Sequence, residues 1–235
     1  MEQNEQARLS ALSNASMLSA IGVTLMYGLS LLLALLAPAS VAVGVVSLIG
    51  LILWLVGIYN TSSAFKGFNA AVAASFERLF KAQLVIVIAV VAYWVLIFLI
   101  PKILGYGGLK ASIVIVKLLT IALFVCSIMY MAKSNKECRT LKGLGLKSMG
   151  IASIAFTIQL VILAVSALIA VIALFRTGDF LSFLIGDGLG GAVVLTILMG
   201  LAAAVFMIIG WWSVRNELPL LSADENHTNI YNTNI

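Results

Sequence analysis

The sequence predicts an all-α integral membrane protein, a bundle of six transmembrane helices, and three observations carry that prediction. Six long apolar runs follow one another along 235 residues. The chain is 63% hydrophobic and 10% charged, where a soluble domain carries about 25% charged residues. Its basic residues fall almost entirely in every second gap between the runs.

The runs are Ser16–Ala37, Val41–Tyr59, Ala82–Ile100, Ala111–Met131, Met149–Phe175 and Leu189–Trp212. A hydrocarbon core about 30 Å thick takes about 20 apolar residues at 1.5 Å each, and each run meets or approaches that length. Lipid offers no partner to free backbone N–H and C=O groups, so each span is expected to be helical. A membrane β-barrel would instead alternate apolar and polar residues in segments of about ten. A single transmembrane domain over residues 1–215 is therefore expected, with a flexible polar tail over 216–235, rich in asparagine. The first run is read as a retained span, because Glu2 and Glu5 spoil the basic flank of a signal peptide.

Charge sets the expected orientation. Arg8, then Lys66, Arg78 and Lys81, then Lys133, Lys136, Arg139, Lys142 and Lys147, and finally Arg215 lie on one side. The opposite gaps hold Lys102, Lys110 and Arg176. By the positive-inside rule both termini are expected in the cytoplasm of a cell with this protein in its inner or plasma membrane. The net charge of +5 is explained by these loops and is no sign of nucleic-acid binding.

Short or glycine-rich segments make the outer turns. Pro38 stops the first helix, and Gly105, Gly107 and Gly108 follow Pro101 in the second turn. The third turn, Arg176–Gly188, contains the apolar stretch Phe180–Ile185, too short to span and expected at the membrane interface. The lead-ins Arg8-Leu9, Arg78-Leu79 and Arg139-Thr140-Leu141, and the aromatic ends Tyr59, Tyr130 and Trp211-Trp212, admit three helical hairpins in series. They equally admit the basic loops and aromatic belts of any six-span protein.

The linker between the second and third spans is the most informative piece outside them. Phe65, Phe68, Val72, Phe76 and Leu79 recur at helical spacing, while Lys66, Arg78 and Lys81 lie off that face. This predicts a cytoplasmic amphipathic helix. Its apolar face has three expected uses: the headgroup boundary, a docking surface for a partner, or a cytoplasmic extension of the spanning helices. These eight residues are the candidate partner or lipid interface. The hairpin pattern, with Trp54-Leu55-Val56-Gly57-Ile58-Tyr59 ahead of this linker, resembles uncharacterised prokaryotic polytopic membrane-protein families built of helical hairpins. That resemblance covers residues 1–100 and implies a bacterial or archaeal origin, with no assigned activity and no catalytic residues to carry over.

Chemistry is sparse within the runs. The only histidine is His227 in the tail, and no Asp or Glu lies in any run. Helical metal ligands of the His-Glu-x-x-His kind, a proton relay of membrane carboxylates, and a P-loop are all missing. The expectation is a protein that is not an enzyme and holds no metal or cofactor. Cys126 and Cys138 are expected as free thiols. Three polar residues remain as a candidate intramembrane site: Lys117, whose amine can reach back to the headgroups, and Thr157 with Gln159, which can bond another helix. Small residues predict packing seams at Ser47, Gly50 and Gly57, at Thr196, Gly200 and Ala204, and along Ser10, Ser13, Ser16 and Ser19.

The leading functional expectation is a non-enzymatic accessory or scaffold subunit that binds the lipid bilayer and a membrane-protein partner or a second copy of itself. The alternative is a small-molecule transporter or substrate-binding transport subunit, with Lys117 and Gln159 lining the pocket.

Overall fold

The computed structural model of the chain describes residues 2–30, 32–33, 41–67, 69–104, 109–175 and 190–232. They form six helices in order: α1 (Glu2–Val23, continued by a π-helical turn, Thr24–Leu29), α2 (Val41–Phe65), α3 (Ala70–Leu104), α4 (Leu109–Gly143), α5 (Met149–Phe175) and α6 (Gly190–Asn232). Each contains a segment long and apolar enough to cross a membrane, and no strand occurs among the described residues. The architecture is the all-α six-helix bundle expected from the runs. Phe68, the first and third outer turns (with the stretch Phe180–Ile185) and 105–108 of the second lie outside the described residues, whereas 101–104, expected in the second turn, continue α3 as its last turn.

Several helices outrun their apolar runs. α3 and α4 have 35 residues each, a length of about 52 Å against an apolar slab of about 30 Å. No glycine or proline interrupts 70–100, so nothing stops the helix at the lower edge of its apolar run. The amphipathic segment is thus the end of α2 together with the first turns of α3, continuous with the third span. Asn69 starts α3 as its N-cap: its Oδ1 accepts the Val72 N–H at 3.0 Å. α6 likewise continues through the polar segment to Asn232. Leu218, at the start of that segment, is fully buried.

α4 ends in a Schellman motif. The Leu146 N–H donates to the Leu141 carbonyl at 3.1 Å and the Gly145 N–H to the Lys142 carbonyl at 3.2 Å. Gly145 takes φ 108°, the left-handed region where only glycine escapes a Cβ clash. Leu141 and Leu146, the apolar pair that accompanies this motif, are both fully buried.

The helices form a closed ring. Each packs against its neighbours in sequence, and α1 packs against α6. Buried apolar side chains concentrate at one end, the end that holds both termini and the 66–69 and 144–148 turns. Leu12, Phe65, Phe76, Leu79, Leu141, Met149 and Leu218 are fully buried there. One layer further in, Trp54 and Trp211 meet edge to face with ring centroids 6.0 Å apart. Among the described residues of the other half, large apolar side chains are half-buried or exposed, as expected where lipid covers them. Apolar burial is driven by water, which suits the part of the core outside the apolar runs (Leu12, Phe65, Phe76, Leu79, Leu141 and Leu146), while Trp54, Ile58, Phe156, Met207 and Trp211 carry it into them. Within lipid, close packing of small residues joins it.

That second kind of packing is seen between α1 and α2. Gly22, Gly50 and Gly57 let the two backbones touch. A Cβ built on Gly50 would stand 2.5 Å from the Met26 nitrogen and 2.7 Å from the Gly22 oxygen, and one on Gly57 2.5 Å from the Ser19 nitrogen. The Ser47 hydroxyl donates to Ser30 Oγ at 2.8 Å along the same seam. On α6 the seam differs from the expected one. Gly200 faces open space, whereas Gly210 lies against the Ala152 backbone of α5 at 2.9 Å from a built Cβ. The Thr196 side chain lies outside those described.

Candidate functional site

The apolar face of the linker is covered by the protein itself. Phe65, Val72, Phe76 and Leu79 each have no exposed surface, and the Phe65 and Phe76 rings stack with centroids 6.3 Å apart. Of the three uses expected for this face, the observed one is the extension of the spanning helices. Its charged partners stay outside. Lys66, Arg78 and Lys81 are exposed, and Glu77 lies between two of them, 2.6 Å from Lys81 Nζ and 3.9 Å from Lys66 Nζ. Such exposed pairs add little stability; what they leave is a positive surface.

Arg78 reaches across to α4. Its Nε donates to Glu137 Oε1 at 3.0 Å, with 11% of the Glu137 side chain exposed, and its Nη2 donates to Ser75 Oγ at 3.0 Å. Glu137 Oε2 is buried and has no hydrogen-bond partner. The two helices enclose a cleft of about 470 Å³ here, with Lys81, Lys133 and Lys136 on its walls and Ala82, Val85 and Tyr130 below. Lys133 Nζ sits 4.3 Å from the Tyr130 ring centroid, a cation–π contact at the end of the apolar run. Lys136, Arg139, Lys142 and Lys147 are exposed around the same end, completing a collar of cations.

A polar layer ties the helices together just inside that collar. Gln83 Nε2 donates to Ser134 Oγ at 2.7 Å. Asn135 accepts from the Ser153 hydroxyl at 2.5 Å and donates to Thr157 Oγ1 at 3.0 Å. Arg139 Nε reaches Ser153 Oγ at 3.3 Å. On the other side of the ring Glu217 of α6 holds the start of α5. Its Oε2 accepts the Ser148 N–H at 3.0 Å and the Ser148 hydroxyl at 2.7 Å, a carboxylate at a helix N-terminus where the dipole favours it.

Deeper in the apolar zone, Gln159 Nε2 donates to the Tyr27 hydroxyl at 2.9 Å, while its buried Oε1 has no partner. Tyr27 sits on the π-helical turn of α1, and the neighbouring Thr24 accepts from Trp212 Nε1 at 2.9 Å. The three intramembrane candidates are not brought together. Thr157 belongs to the Asn135 layer, Gln159 pairs with Tyr27, and Lys117 stands half-buried on the far half of α4.

Glu137, Asn135, Ser153, Tyr27 and Glu217 were not legible as site residues. Glu137 sits in a stretch dominated by lysine and arginine, and only its helical phase relative to Arg78 on another helix makes it a partner. Cys126 is half-buried and Cys138 buried, both free. Among the described residues no three His, Cys, Asp or Glu side chains converge as a metal site would require. The chain matches no family model, no curated protein and no solved structure.

Proposed function

We propose that this protein is a non-enzymatic membrane component, an accessory or scaffold subunit that binds acidic partner surfaces and lipid at its basic end. One observation carries the reading. Phe65, Val72, Phe76, Leu79, Leu141 and Leu146 of that end are buried in the protein's own core, while Lys66, Arg78, Lys81, Lys133, Lys136, Arg139, Lys142 and Lys147 all stay exposed around it. A rigid base bearing a cationic rim favours long-range capture of negative surfaces over chemistry on a small substrate. The positive-inside rule puts this rim and both termini in the cytoplasm. A cysteine placed at Lys142 is then inaccessible to an impermeant reagent on intact cells, and its labelling there would reverse the orientation.

The partner reading is tested by charge reversal on the rim. In mild detergent the native protein is expected to migrate in a larger assembly than Lys142→Glu/Lys147→Glu, with insertion unchanged. Identical migration on native gels refutes it.

A transport reading has one observation in its favour: the π-helical turn holding Tyr27 beside Gln159, whose buried Oε1 lacks a partner. Such turns recur at functional positions in helices. Solute-dependent growth altered by Gln159→Leu, with assembly intact, would favour transport over scaffolding.

A further inference from the structure

We infer that the cleft between α3 and α4 is a binding site for the headgroup of an anionic phospholipid that carries free hydroxyls, a polyol phosphate diester. The inference rests on the lipid-binding half of the reading above and gives it a place and a ligand chemistry. Three features of the cleft specify the ligand.

The first is charge. Four cations, Arg78, Lys81, Lys133 and Lys136, line the cleft against one carboxylate, Glu137. Arg78 is engaged by Glu137 and Lys81 by Glu77. Lys133 rests on the Tyr130 ring with its N–H donors unspent, and Lys136 makes no ion pair among the described residues. Two ammonium groups one helical turn apart thus remain for a phosphate.

The second is depth. Ala82 and Val85 begin the apolar run of α3, and Tyr130 closes that of α4. The cleft therefore passes from charged to apolar over a few ångströms, as a lipid does from phosphate to acyl chain. Basic pockets between transmembrane helices at this level suit anionic headgroups, whereas a soluble anion gains nothing from the apolar part.

The third is the orphaned oxygen. Glu137 is 8% exposed, and its Oε2 has no hydrogen-bond partner. Glu137 lines the cleft, and a small turn of its carboxyl group brings this oxygen to a donor on the ligand. A headgroup hydroxyl satisfies it while the phosphate meets the lysines.

The test is native mass spectrometry of the full chain in detergent, titrated with defined lipids. Phosphatidylglycerol is expected to be retained at least about tenfold better than phosphatidylcholine, and Lys133→Gln/Lys136→Gln to lose roughly tenfold or more of that affinity. Lys102→Gln, a charge loss at the opposite end of α3 and outside both cleft and rim, is expected to bind as the native chain does. Equal loss in the Lys102 variant and the cleft variant, or no preference over phosphatidylcholine, overturns the site. Phosphatidylmethanol, equally charged but without hydroxyls, is expected to bind several-fold more weakly to the unaltered protein, and parity between the two lipids overturns the role of Glu137. Displacement of phosphatidylglycerol by millimolar inorganic phosphate would assign the cleft to soluble phosphate and overturn the lipid assignment. Failure here leaves the assembly test on Lys142 and Lys147 standing, since that test reads protein association through different residues.

Discussion

Replacing Gly50 by alanine adds one methyl group where α1 and α2 touch. That methyl would lie 2.5 Å from the Met26 nitrogen and 2.7 Å from the Gly22 oxygen. Both are backbone atoms, so no side chain can swing aside. Restoring ordinary contact at about 3.5 Å requires the two helices to part by close to 1 Å. Overpacking of this kind costs about 1–3 kcal/mol. The separation also stretches the Ser47–Ser30 hydrogen bond, 2.8 Å in the native protein and the kind of contact worth about 0.6 kcal/mol in a membrane. Alanine gains up to about 1 kcal/mol over glycine in helix propensity, which offsets part of the loss. A net destabilisation of about 1–2 kcal/mol is expected. Reversible unfolding in mixed micelles, followed by the near-ultraviolet dichroism of the Trp54–Trp211 pair, measures it. Gly44→Ala is the internal control, because a Cβ there meets nothing within 4 Å; it is expected to equal or exceed the native stability. If Gly50→Ala and Gly44→Ala unfold alike, the close backbone approach of α1 and α2 is wrong.

Glu217→Ala removes the carboxylate that receives both Ser148 donors, and a loss of about 2 kcal/mol is expected in the same unfolding assay. Gly145→Ala forces a side chain into φ 108° and is expected to cost about 1 kcal/mol or more, whereas Gly143→Ala, with open space around it, is expected to cost nothing measurable. Asn135→Leu breaks the bonds to Ser153 and Thr157 and is expected to lower stability by about 1–2 kcal/mol, read as a shift in the detergent unfolding midpoint. Cys138, fully buried, is expected to resist N-ethylmaleimide until the chain is unfolded, as intact-mass measurement of the labelled chain would show; rapid labelling of the folded protein would contradict the α4 packing.

The six spans were legible because the bilayer imposes length and polarity on each one separately, without reference to any other helix. The amphipathic face of Phe65, Val72, Phe76 and Leu79 was legible for the same reason: it is a periodicity within one segment. What that face meets was not, since burial against Leu141, Met149 and the other helices is a property of their arrangement. Gly50 and Gly57 were readable as a seam, but Gly200, small and in a row of small residues too, has nothing within 4 Å of where a Cβ would stand. Small residues permit close approach; only the partner's position decides whether it happens. The α3–α4 cleft illustrates the limit most clearly. Arg78 and Glu137 lie 59 positions apart, and no local pattern links them. The charges that line the cleft were visible as loops favouring one side, with no hint that they converge.

The closure of the ring by α1 against α6 has a consequence for biosynthesis. A chain inserted from its N-terminus forms the α1–α2 hairpin early, through backbone contacts that need no later segment. The remaining flank of α1 and the edge of the Trp54 indole must then wait while four more helices enter. They are covered only when Trp211 arrives. Until that moment a nascent chain offers an incomplete wall to the lipid, and a product cut short before α6 would expose that same wall to every chaperone and protease at the membrane.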